Sequence, residues 1–305
     1  MTQTALILGA TGRFGSHTAQ AFNEARWTTK FFTRGTDMAK AAEGCDIIVN
    51  GLNPPNYQNW QTEIPRITSE VIRAARASGA TVLLPGNVYN FGIEPAPWSD
   101  KTNQFPCSRK GRIRVEMEKA YLDASRGGVR SIILRAGDFV DTHGSGGFFD
   151  LVITKPLARG RISYPGPTDV AHAWAYLPDV ARAAVLLAEK RTEFPAFADL
   201  SFGGWTLTGA ELAEEIMRLT GRTVVAKRMS WLPIQLASPV WRLGRELLEM
   251  RYLWNHPHWL DGQKLEQILP EFEPTPIGPA LLSTLPAYVN PDKAVVAAHR
   301  LARAD

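Results

Sequence analysis

The sequence predicts an α/β protein with a Rossmann-like, doubly wound parallel sheet and a smaller C-terminal substrate domain. An apolar strand at residues 5–8 leads into three glycines spaced G-x-x-G-x-x-G, and a helical pattern follows at residues 16–25. Strand and helix patterns alternate through the first half of the chain, as they do in sheets with helices on both faces. Beyond Gly203 the composition changes to a region rich in Trp and Pro, which is typical of a smaller domain beside the sheet.

The elements of the sheet domain follow in chain order. Apolar runs bounded by turn residues predict strands at residues 5–8, 29–33, 46–50, 81–85, 131–134 and 198–202. Helices are predicted at residues 16–25, 38–43, 64–77, 112–124 and 180–189. Gly79 and the pair Gly127-Gly128 stand where helices end, and Asp179 is predicted to cap the helix at residues 180–189.

The domain boundaries follow from the change in composition. We expect a dinucleotide-binding domain at residues 1–140 plus about 168–203 and a substrate domain at residues 141–167 plus 204–305. In the substrate domain, Thr208 and Glu211 match a capping box for a helix at residues 209–219. Asp261 is predicted to cap a helix that ends at residue 269, and residues 294–305 to form a peripheral helix or tail.

Composition restricts the function classes. The chain of 305 residues is 45% hydrophobic and 21% charged, as ordinary globular proteins are. Its net charge is +4 with Lys and Arg scattered, so we expect a small-molecule substrate and no nucleic-acid partner. The first residues enter a strand directly and no apolar run could span a bilayer, which predicts no signal peptide, no membrane partner and a cytoplasmic location. Two cysteines fit a reducing compartment, the dispersed histidines predict no metal site, and a homodimer is left open.

The turn at residues 9–15 has the pattern of an anion site. Backbone N–H groups exposed by glycines, together with the positive end of a helix dipole, favour a phosphate group. Because the glycines follow a buried strand and precede a helix, we predict a dinucleotide site, the alternative being a tight turn with nothing bound. The candidate cofactor-binding residues are Gly9, Thr11, Gly12, Arg13, Phe14, Gly15, Arg34, Asn53, Gly86 and Asn87.

The residues around the second strand favour NADP over NAD. An NAD site of this kind usually has Asp or Glu at the end of that strand to bind the ribose hydroxyls. Here the strand ends at Arg34, and Arg13 stands in the glycine turn near the same predicted ribose. Two guanidinium groups suit a 2′-phosphate because each can donate two parallel hydrogen bonds to its oxygens. The alternative is that both are solvated loop arginines.

The order of these motifs resembles the extended short-chain dehydrogenase/reductase family, in its epimerase and dehydratase branch. The matching segments are residues 9–15, 88–89, 176–181, 203–208 and 260–262. The resemblance implies a nicotinamide-binding N-terminal domain and a C-terminal domain that encloses the substrate. It also implies a further helix and strand after the second strand. Only about a dozen residues separate Arg34 from the strand at 46–50, so the third strand is predicted to be missing.

The same resemblance implies a Tyr that transfers a proton, a Lys one helical turn later that lowers its pKa, and an assisting Ser. Two registers are possible, and the sequence departs from this pattern in both. With Glu116 as the reference, Arg112 takes the Lys place and Ser108 the Tyr place; with Lys110 as the lysine, the Tyr place falls on Pro106. Neither register contains the acid, and the place of the assisting Ser, four residues before Tyr89, falls on Pro85.

Substitute catalytic candidates are Tyr89, which follows a strand end, and Lys110 or Arg112, either of which could hold the ribose by its charge. Cys107 offers a thiol that nearby cations could activate, and His143 is a candidate proton relay in a loop at 138–147 that we expect to line the cleft. For each residue a structural role stays open: packing for Tyr89 and Cys107, a solvated helix face for the cations, and a plain loop position for His143.

The leading hypothesis is therefore an NADP-dependent oxidoreductase, epimerase or dehydratase. It would act on a small polar substrate, including a nucleotide sugar, with an altered catalytic site. The alternative is a catalytically silent NADP-binding sensor or regulator, as in NmrA-like relatives, and the loss of Ser, Tyr and Lys together favours it. A structural assembly factor without a cofactor is the third hypothesis.

Overall fold

The computed structural model describes residues 2–144 and 146–285, and its centre is a parallel sheet. The strands of this sheet are β1 (Thr4–Leu8), β2 (Thr28–Phe31), β3 (Ile47–Asn50), β4 (Thr81–Gly86), β5 (Ser131–Arg135) and β9 (Phe197–Ser201). They are arranged in the order β2-β1-β3-β4-β5-β9, and all neighbours are parallel. The predicted fold class, a Rossmann-like doubly wound sheet, is confirmed.

Helices cover both faces of the sheet, and the side chains of β1 show the division. Ala5 and Ile7 belong to the core under α1 (Arg13–Glu24), α5 (Leu177–Glu189) and α9 (Gln263–Ile268). Leu6 and Leu8 belong to the opposite core, under α2 (Met38–Ala41), α3 (Trp60–Ser78) and α4 (Arg109–Ser125). Successive side chains of a strand point to opposite faces, so a continuous apolar run is what a strand with two covered faces requires.

The remaining strands form two small sheets beside the central one. The first contains β6 (Asp138–Val140), β8 (His172–Tyr176) and β10 (Trp205–Leu207) in the order β10-β8-β6, and the second pairs β7 (Arg161–Tyr164) with β11 (Val225–Arg228). The helices of this region are α6 (Gly209–Thr220), α7 (Leu232–Ala237), α8 (Arg242–Glu249) and α10 (Ile277–Thr284). Their shared core is rich in aromatic residues, including Phe149, Tyr164, Trp174, Trp231 and Trp254.

One local prediction, the capping box, is confirmed and two are corrected. The capping box is present: Thr208 Oγ1 accepts from the N–H of Glu211, and the Glu211 carboxylate accepts from the N–H of Thr208. Asp179 is not an N-cap, because α5 begins at Leu177 after Tyr176, and buried Asp179 instead accepts hydrogen bonds from the N–H and hydroxyl of Thr275. Helix α1 begins at Arg13 rather than at residue 16. The predicted tail at 294–305 lies outside the described residues.

The strand order also confirms the prediction of a missing third strand. After β2 the chain forms only the short helix α2 before it returns as β3 on the other side of β1. Within residues 2–144 and 146–285, no strand pairs with the outer side of β2, which is therefore an edge of the sheet. In the same part of the chain, no helix combines the length and the apolar character needed to cross a membrane.

Candidate active site

The β1–α1 turn needs glycine at positions where the backbone approaches itself. Gly9 has a φ of +73°, a conformation in which a side chain is strained. A Cβ on Gly15 would lie 2.1 Å from the carbonyl oxygen of Gly9, which excludes any side chain there. Because α1 begins at Arg13, the N–H groups of Arg13, Phe14 and Gly15 have no acceptor within the helix. These groups form the positive end of α1.

The turn opens on a cleft of about 540 Å³ at the carboxyl ends of β1, β3 and β4. Strands β1 and β3 are neighbours whose following helices, α1 and α3, lie on opposite faces of the sheet, and ligands of open α/β sheets bind at such a point. Of the predicted contacts, those that line the cleft are Gly12, Arg13, Phe14, Asn53, Gly86 and Asn87. Gly9 and Gly15 lie behind the turn, and Thr11 is exposed outside the lining residues.

A second cavity, of about 390 Å³, adjoins this cleft at Leu52 and Ile67, which line both. Arg34, just beyond β2, lines the second cavity together with Arg66 and Arg73. Arg66 is paired with Glu63 and Glu70, each at 2.7 Å. The second cavity thus lies at the end of β2, next to the cleft that extends from the glycine turn to the end of β4.

The structure does not bring Arg13 and Arg34 together, so their predicted joint grip on one ribose phosphate is corrected. Arg13 Nε donates to Asp141 Oδ2 at 3.1 Å, and its Nη2 donates to the carbonyl oxygen of Phe139 at 2.9 Å. Asp141 is completely buried, and a buried carboxylate requires a cation and hydrogen-bond donors. Arg13 therefore turns toward the segment after β6 and away from the second cavity.

His17, Asp141 and His143 form a cluster beside this ion pair, with metal-ligating atoms within 4.8 Å of one another. His17 Nε2 bonds Asp141 Oδ1 at 2.7 Å, and the backbone N–H of His143 donates to the same oxygen at 2.8 Å. The two imidazole rings are stacked 4.0 Å apart at 11°. Nearly parallel rings cannot both direct a lone pair at one ion, so the cluster as it stands fastens the segment after β6 to α1. His143 does not line the cleft.

Two tyrosines face each other inside the cleft. Tyr89 lies in a short 3-10 helix (Tyr89–Phe91) after β4, and Tyr57 in another (Pro55–Tyr57) after β3. Their hydroxyl oxygens are 3.4 Å apart. Burial raises the pKa of both phenols, that of Tyr89 well above its usual range, and the nearby charge of Arg114 acts in the opposite direction. Both phenols are therefore proton donors at neutral pH, not bases.

Arg114 is a cleft residue that the sequence interpretation missed. Its guanidinium carbon lies 4.8 Å from the centroid of the Trp60 ring, and its Nη2 donates to Asn53 Oδ1 at 3.3 Å. Lys110 and Arg114 are spaced like the family's Tyr and Lys, a third register in which a cation occupies the Lys place. That spacing was the signal available in the sequence.

The structure places the other catalytic candidates on α4 outside the cleft lining. Lys110 is buried and bound by the carboxylates of Glu246 and of Glu249, the latter at 2.8 Å. Its ammonium also lies 4.9 Å from the centroid of the Tyr57 ring, so it supports the back of that ring. Arg112 is exposed, on another side of α4. Cys107 is an exposed residue, but partial burial of its thiol raises the pKa of that thiol, which disfavours the thiolate form.

A buried ion-pair network holds the end of β4. Arg135 is fully buried, with Nη2 at 2.7 Å from Glu118 and 2.6 Å from Asp199. Its Nη1 donates to the carbonyl oxygen of Asn87 at 2.6 Å, and Asn87 Oδ1 accepts from the N–H of Tyr89 at 3.0 Å. This network fixes the backbone that carries Tyr89.

No protein-family model and no curated protein matches the chain. Solved structures match nearly its whole length. UDP-glucose 4-epimerase from Brucella ovis, in complex with NAD, is 16% identical with a TM-score of 0.71, covering 95% of this chain and 99% of that one. UDP-glucuronic acid 4-epimerase from Bacillus cereus, with UDP-glucuronic acid and NAD, is 14% identical with a TM-score of 0.70, covering 92% and 98%. UDP-N-acetylglucosamine 4-epimerase from Bacillus cereus is 13% identical with a TM-score of 0.69, covering 92% and 94%.

These similarities extend over the central sheet and the smaller sheets alike, and they agree with the strand order and the glycine turn described above. The chain therefore has the fold of the extended short-chain dehydrogenase/reductase epimerases.

Proposed function

We propose that the chain is a nicotinamide-dinucleotide-dependent oxidoreductase or epimerase. The observation that carries this proposal is that one cleft joins the amide end of α1 to a pair of protonated phenols, Tyr57 and Tyr89. A diphosphate needs the first, and a carbonyl group that becomes an alcohol needs the second. Two of the solved neighbours are complexes with NAD, which supports the same coenzyme class.

The residues present fit a dinucleotide. The N–H groups at the start of α1 would hold its diphosphate, and Gly12 leaves the approach to them free of a side chain. The second cavity, which begins at Leu52, would take the adenosine end. The nicotinamide end would lie toward Gly86, Asn87 and Tyr89. Bound there, a nicotinamide supplies or accepts a hydride.

The chain's own residues would donate the proton and stabilise the charge that remains. Tyr89 or Tyr57 donates its phenolic proton to the substrate oxygen, and the hydroxyl of the other tyrosine, 3.4 Å away, can stabilise the phenolate that remains. The cation of Arg114 would stabilise that phenolate as well, because its charge acts against the burial that raises the pKa of both phenols. Lys110 positions the Tyr57 ring from behind and is itself held by two carboxylates.

We further propose that the coenzyme is NADP rather than NAD. None of the lining residues at the end of β2, Phe32, Arg34, Gly35 and Thr36, carries a carboxylate, and the two glutamates of α3 that line the cavity, Glu63 and Glu70, are paired with Arg66. The next acid, Asp37, accepts from the N–H of Ala39 as the cap of α2. Arg34 is exposed beside the predicted ribose and can bind a 2′-phosphate without Arg13.

Calorimetric titration of the purified protein with NADP, NADPH, NAD and NADH tests the coenzyme proposal. We expect tighter binding of the phosphorylated pair, and a loss of about 10- to 100-fold in NADPH affinity in Arg34→Ala, as for removal of a charged hydrogen bond. NADH affinity should not change in that variant. Arg222→Ala, an exposed arginine outside both cavities, is the matched control. A preference for NADPH that survives Arg34→Ala would contradict the assignment of Arg34.

The reaction class is tested by turnover. NADPH oxidation with aldehydes and ketones would identify an oxidoreductase, and redox-neutral conversion of UDP-glucose would identify an epimerase. Nucleotide sugars belong in this panel because solved neighbours carry UDP-sugar names.

A catalytically silent NADP-binding sensor is the second candidate. The observation that favours it is the burial of Lys110 between Glu246 and Glu249, which removes the one lysine of that helix turn from the cleft. A sensor should bind NADPH but show no oxidation in single-turnover experiments with any member of the substrate panel. Slow but measurable single-turnover oxidation would exclude it.

A further inference from the structure

We infer that the substrate end of the cleft selects an apolar or aromatic carbonyl compound rather than a nucleoside diphosphate derivative. The inference rests on the proposed function and names its substrate class. Its balanced reaction is the reduction of a ketone to a secondary alcohol, which consumes one hydride from the reduced coenzyme and one proton from a phenol.

A large part of the cleft wall is apolar. Beyond the glycine turn it includes Trp60, Phe148, Leu151, Leu243 and Leu247, beside polar lining residues such as Asn53, Asn56 and Asn87. Leu151 is 59% exposed, so much of its apolar surface faces the solvent. Burying such surfaces against an apolar substrate is favourable, whereas a polar substrate would leave them unmatched.

The direction of α8 explains this lining. Leu243 and Leu247 are one turn apart and face the cleft, while Glu246 and Glu249 face α4 and bind Lys110. The two acidic residues at the end of α8, Glu246 and Glu249, are therefore engaged in an internal ion-pair cluster. Only the leucine side of α8 is presented to a substrate.

The charges that line the cleft do not fit a second diphosphate. Among the described lining residues the charged ones are Arg13, Arg114 and Asp138. Arg13 is paired with Asp141, and Asp138 Oδ2 bonds His172 Nε2 at 2.9 Å. Arg114 lies against the Trp60 ring and is the one cation left for the phenols. A nucleoside diphosphate brings two negative charges, and burying them without cations of their own is costly.

The test is a chain-length series. We would measure kcat/KM for NADPH-dependent reduction of 2-alkanones from 2-pentanone to 2-nonanone, and calorimetric binding of the matching 2-alkanols with NADP present. UDP-glucose would be titrated in parallel. We expect kcat/KM to rise about fourfold for each added methylene, as for burial of a CH₂ group, and UDP-glucose to bind more weakly than 2-nonanol.

Two variants test where in the structure the dependence of kcat/KM on chain length arises. Leu243→Asn should reduce the rise to less than about twofold per methylene, with NADPH affinity unchanged. Leu236→Asn is the matched control, because Leu236 is 74% exposed on α7 and does not line the cleft. Three outcomes would overturn the substrate inference: a flat series, an absence of both alkanone turnover and alkanol binding, or tighter binding of UDP-glucose than of 2-nonanol. In each case, NADPH binding would still support the proposed function. Failure of the wild-type protein to bind either NADPH or NADH would refute both.

Discussion

Tyr57 and Tyr89 place two protonated hydroxyl groups 3.4 Å apart at the inner end of the cleft. Neither tyrosine occupies the position on α4 at which the short-chain dehydrogenase/reductase family, which the sequence resembles, has its tyrosine. The phenols come instead from the loops after β3 and β4, while α4 contributes the cation of Arg114. Under the proposed function, the acid and the cation would come from other positions than in the family that the sequence resembles.

Removal of each phenol separately identifies the proton donor. In Tyr89→Phe or Tyr57→Phe, kcat should fall by about 10²- to 10⁴-fold for the residue that transfers the proton, because general acid catalysis is lost. Loss of the partner phenol should have a smaller effect. NADPH affinity should stay within about twofold, because neither change touches the amides that bind a diphosphate. Tyr176→Phe, whose hydroxyl bonds Ser283 at 2.9 Å, serves as the control. Full turnover in both single variants and in the double variant would exclude the phenols as acids.

The charge of Arg114 can be separated from its shape. Arg114→Lys keeps a cation and should retain more activity than Arg114→Leu, for which we expect a fall in kcat of about 10- to 100-fold. In the direction of alcohol oxidation the phenolate is the active form. Burial raises the pKa of both phenols and the charge of Arg114 partly offsets this rise, so loss of Arg114 should move the rising limb of the pH–rate profile to higher pH. Arg112→Leu, on the exposed side of the same helix, should keep the wild-type profile. A profile that stays in place in Arg114→Leu would refute this role.

At the scale of elements, the loops that carry the site are fixed by special backbone and by long-range contacts. Asn56 and Tyr57 have φ values of +51° and +57°, which non-glycine residues rarely adopt. On the other side, Arg13 and His17 of α1 hold Asp141 beyond β6. The cleft is thus framed by two segments that are not regular helix or strand.

The role of the β1–α1 turn in binding can be tested by adding one methyl group at Gly15. In Gly15→Ala the added Cβ would meet the carbonyl oxygen of Gly9 at 2.1 Å, so the turn or the start of α1 must shift. We expect a loss of about 1–3 kcal/mol in the free energy of unfolding and a loss of more than about tenfold in NADPH affinity. Both are read from chemical denaturation and calorimetry. In Gly127→Ala the nearest atom would be 3.5 Å away, and both quantities should stay near wild type. Wild-type NADPH affinity in Gly15→Ala would show that this turn is not the binding site.

At the scale of the whole molecule, a group of buried polar residues joins the loop near residue 258 to the small sheets. His258 is fully buried and stacked 4.9 Å from the Trp98 ring, with Nδ1 donating to the carbonyl oxygen of His256 at 2.9 Å. His172 of β8 packs edge-on against the same imidazole. Burial, followed by the neighbouring His172, lowers the pKa of His258 to about 3.

This buried imidazole predicts how stability depends on pH. The unfolded chain takes up a proton on His258 near pH 6.5, and the folded protein does so only near pH 3, so stability falls as the pH drops between these values. From pH 7.5 to pH 5 the loss from this group should be about 2 kcal/mol. Urea denaturation at both pH values should show that loss in the wild type, and a smaller loss in His258→Phe, which keeps a ring against Trp98. His256→Gln keeps His258 and should behave as the wild type. Equal pH dependence in wild type and His258→Phe would contradict the prediction.

The fold and the glycine turn could be predicted because their signals are local. The apolar run of β1, the spacing of Gly9 and Gly15, and the capping box at Thr208 each act within a few residues of themselves. The missing strand could be predicted for the same reason, since the chain between Arg34 and β3 is too short to form it.

The direction in which a single side chain points could not be predicted from local sequence signals. Arg13 and Arg34 look equivalent in the sequence, but Arg13 meets Asp141, which is 128 residues away, and Arg34 does not. Arg114 rather than Arg112 enters the cleft because of the rotation of α4, and Lys110 is removed from it by Glu246 and Glu249 on a distant helix.

The sequence by itself determined the sheet architecture and a turn suited to a diphosphate, since hydrogen bonding and sterics between near neighbours are enough to specify both. Only the tertiary structure decided which charges remain for a ligand, because buried carboxylates such as Asp141, Glu246 and Glu249 take their cations from whichever element packs beside them.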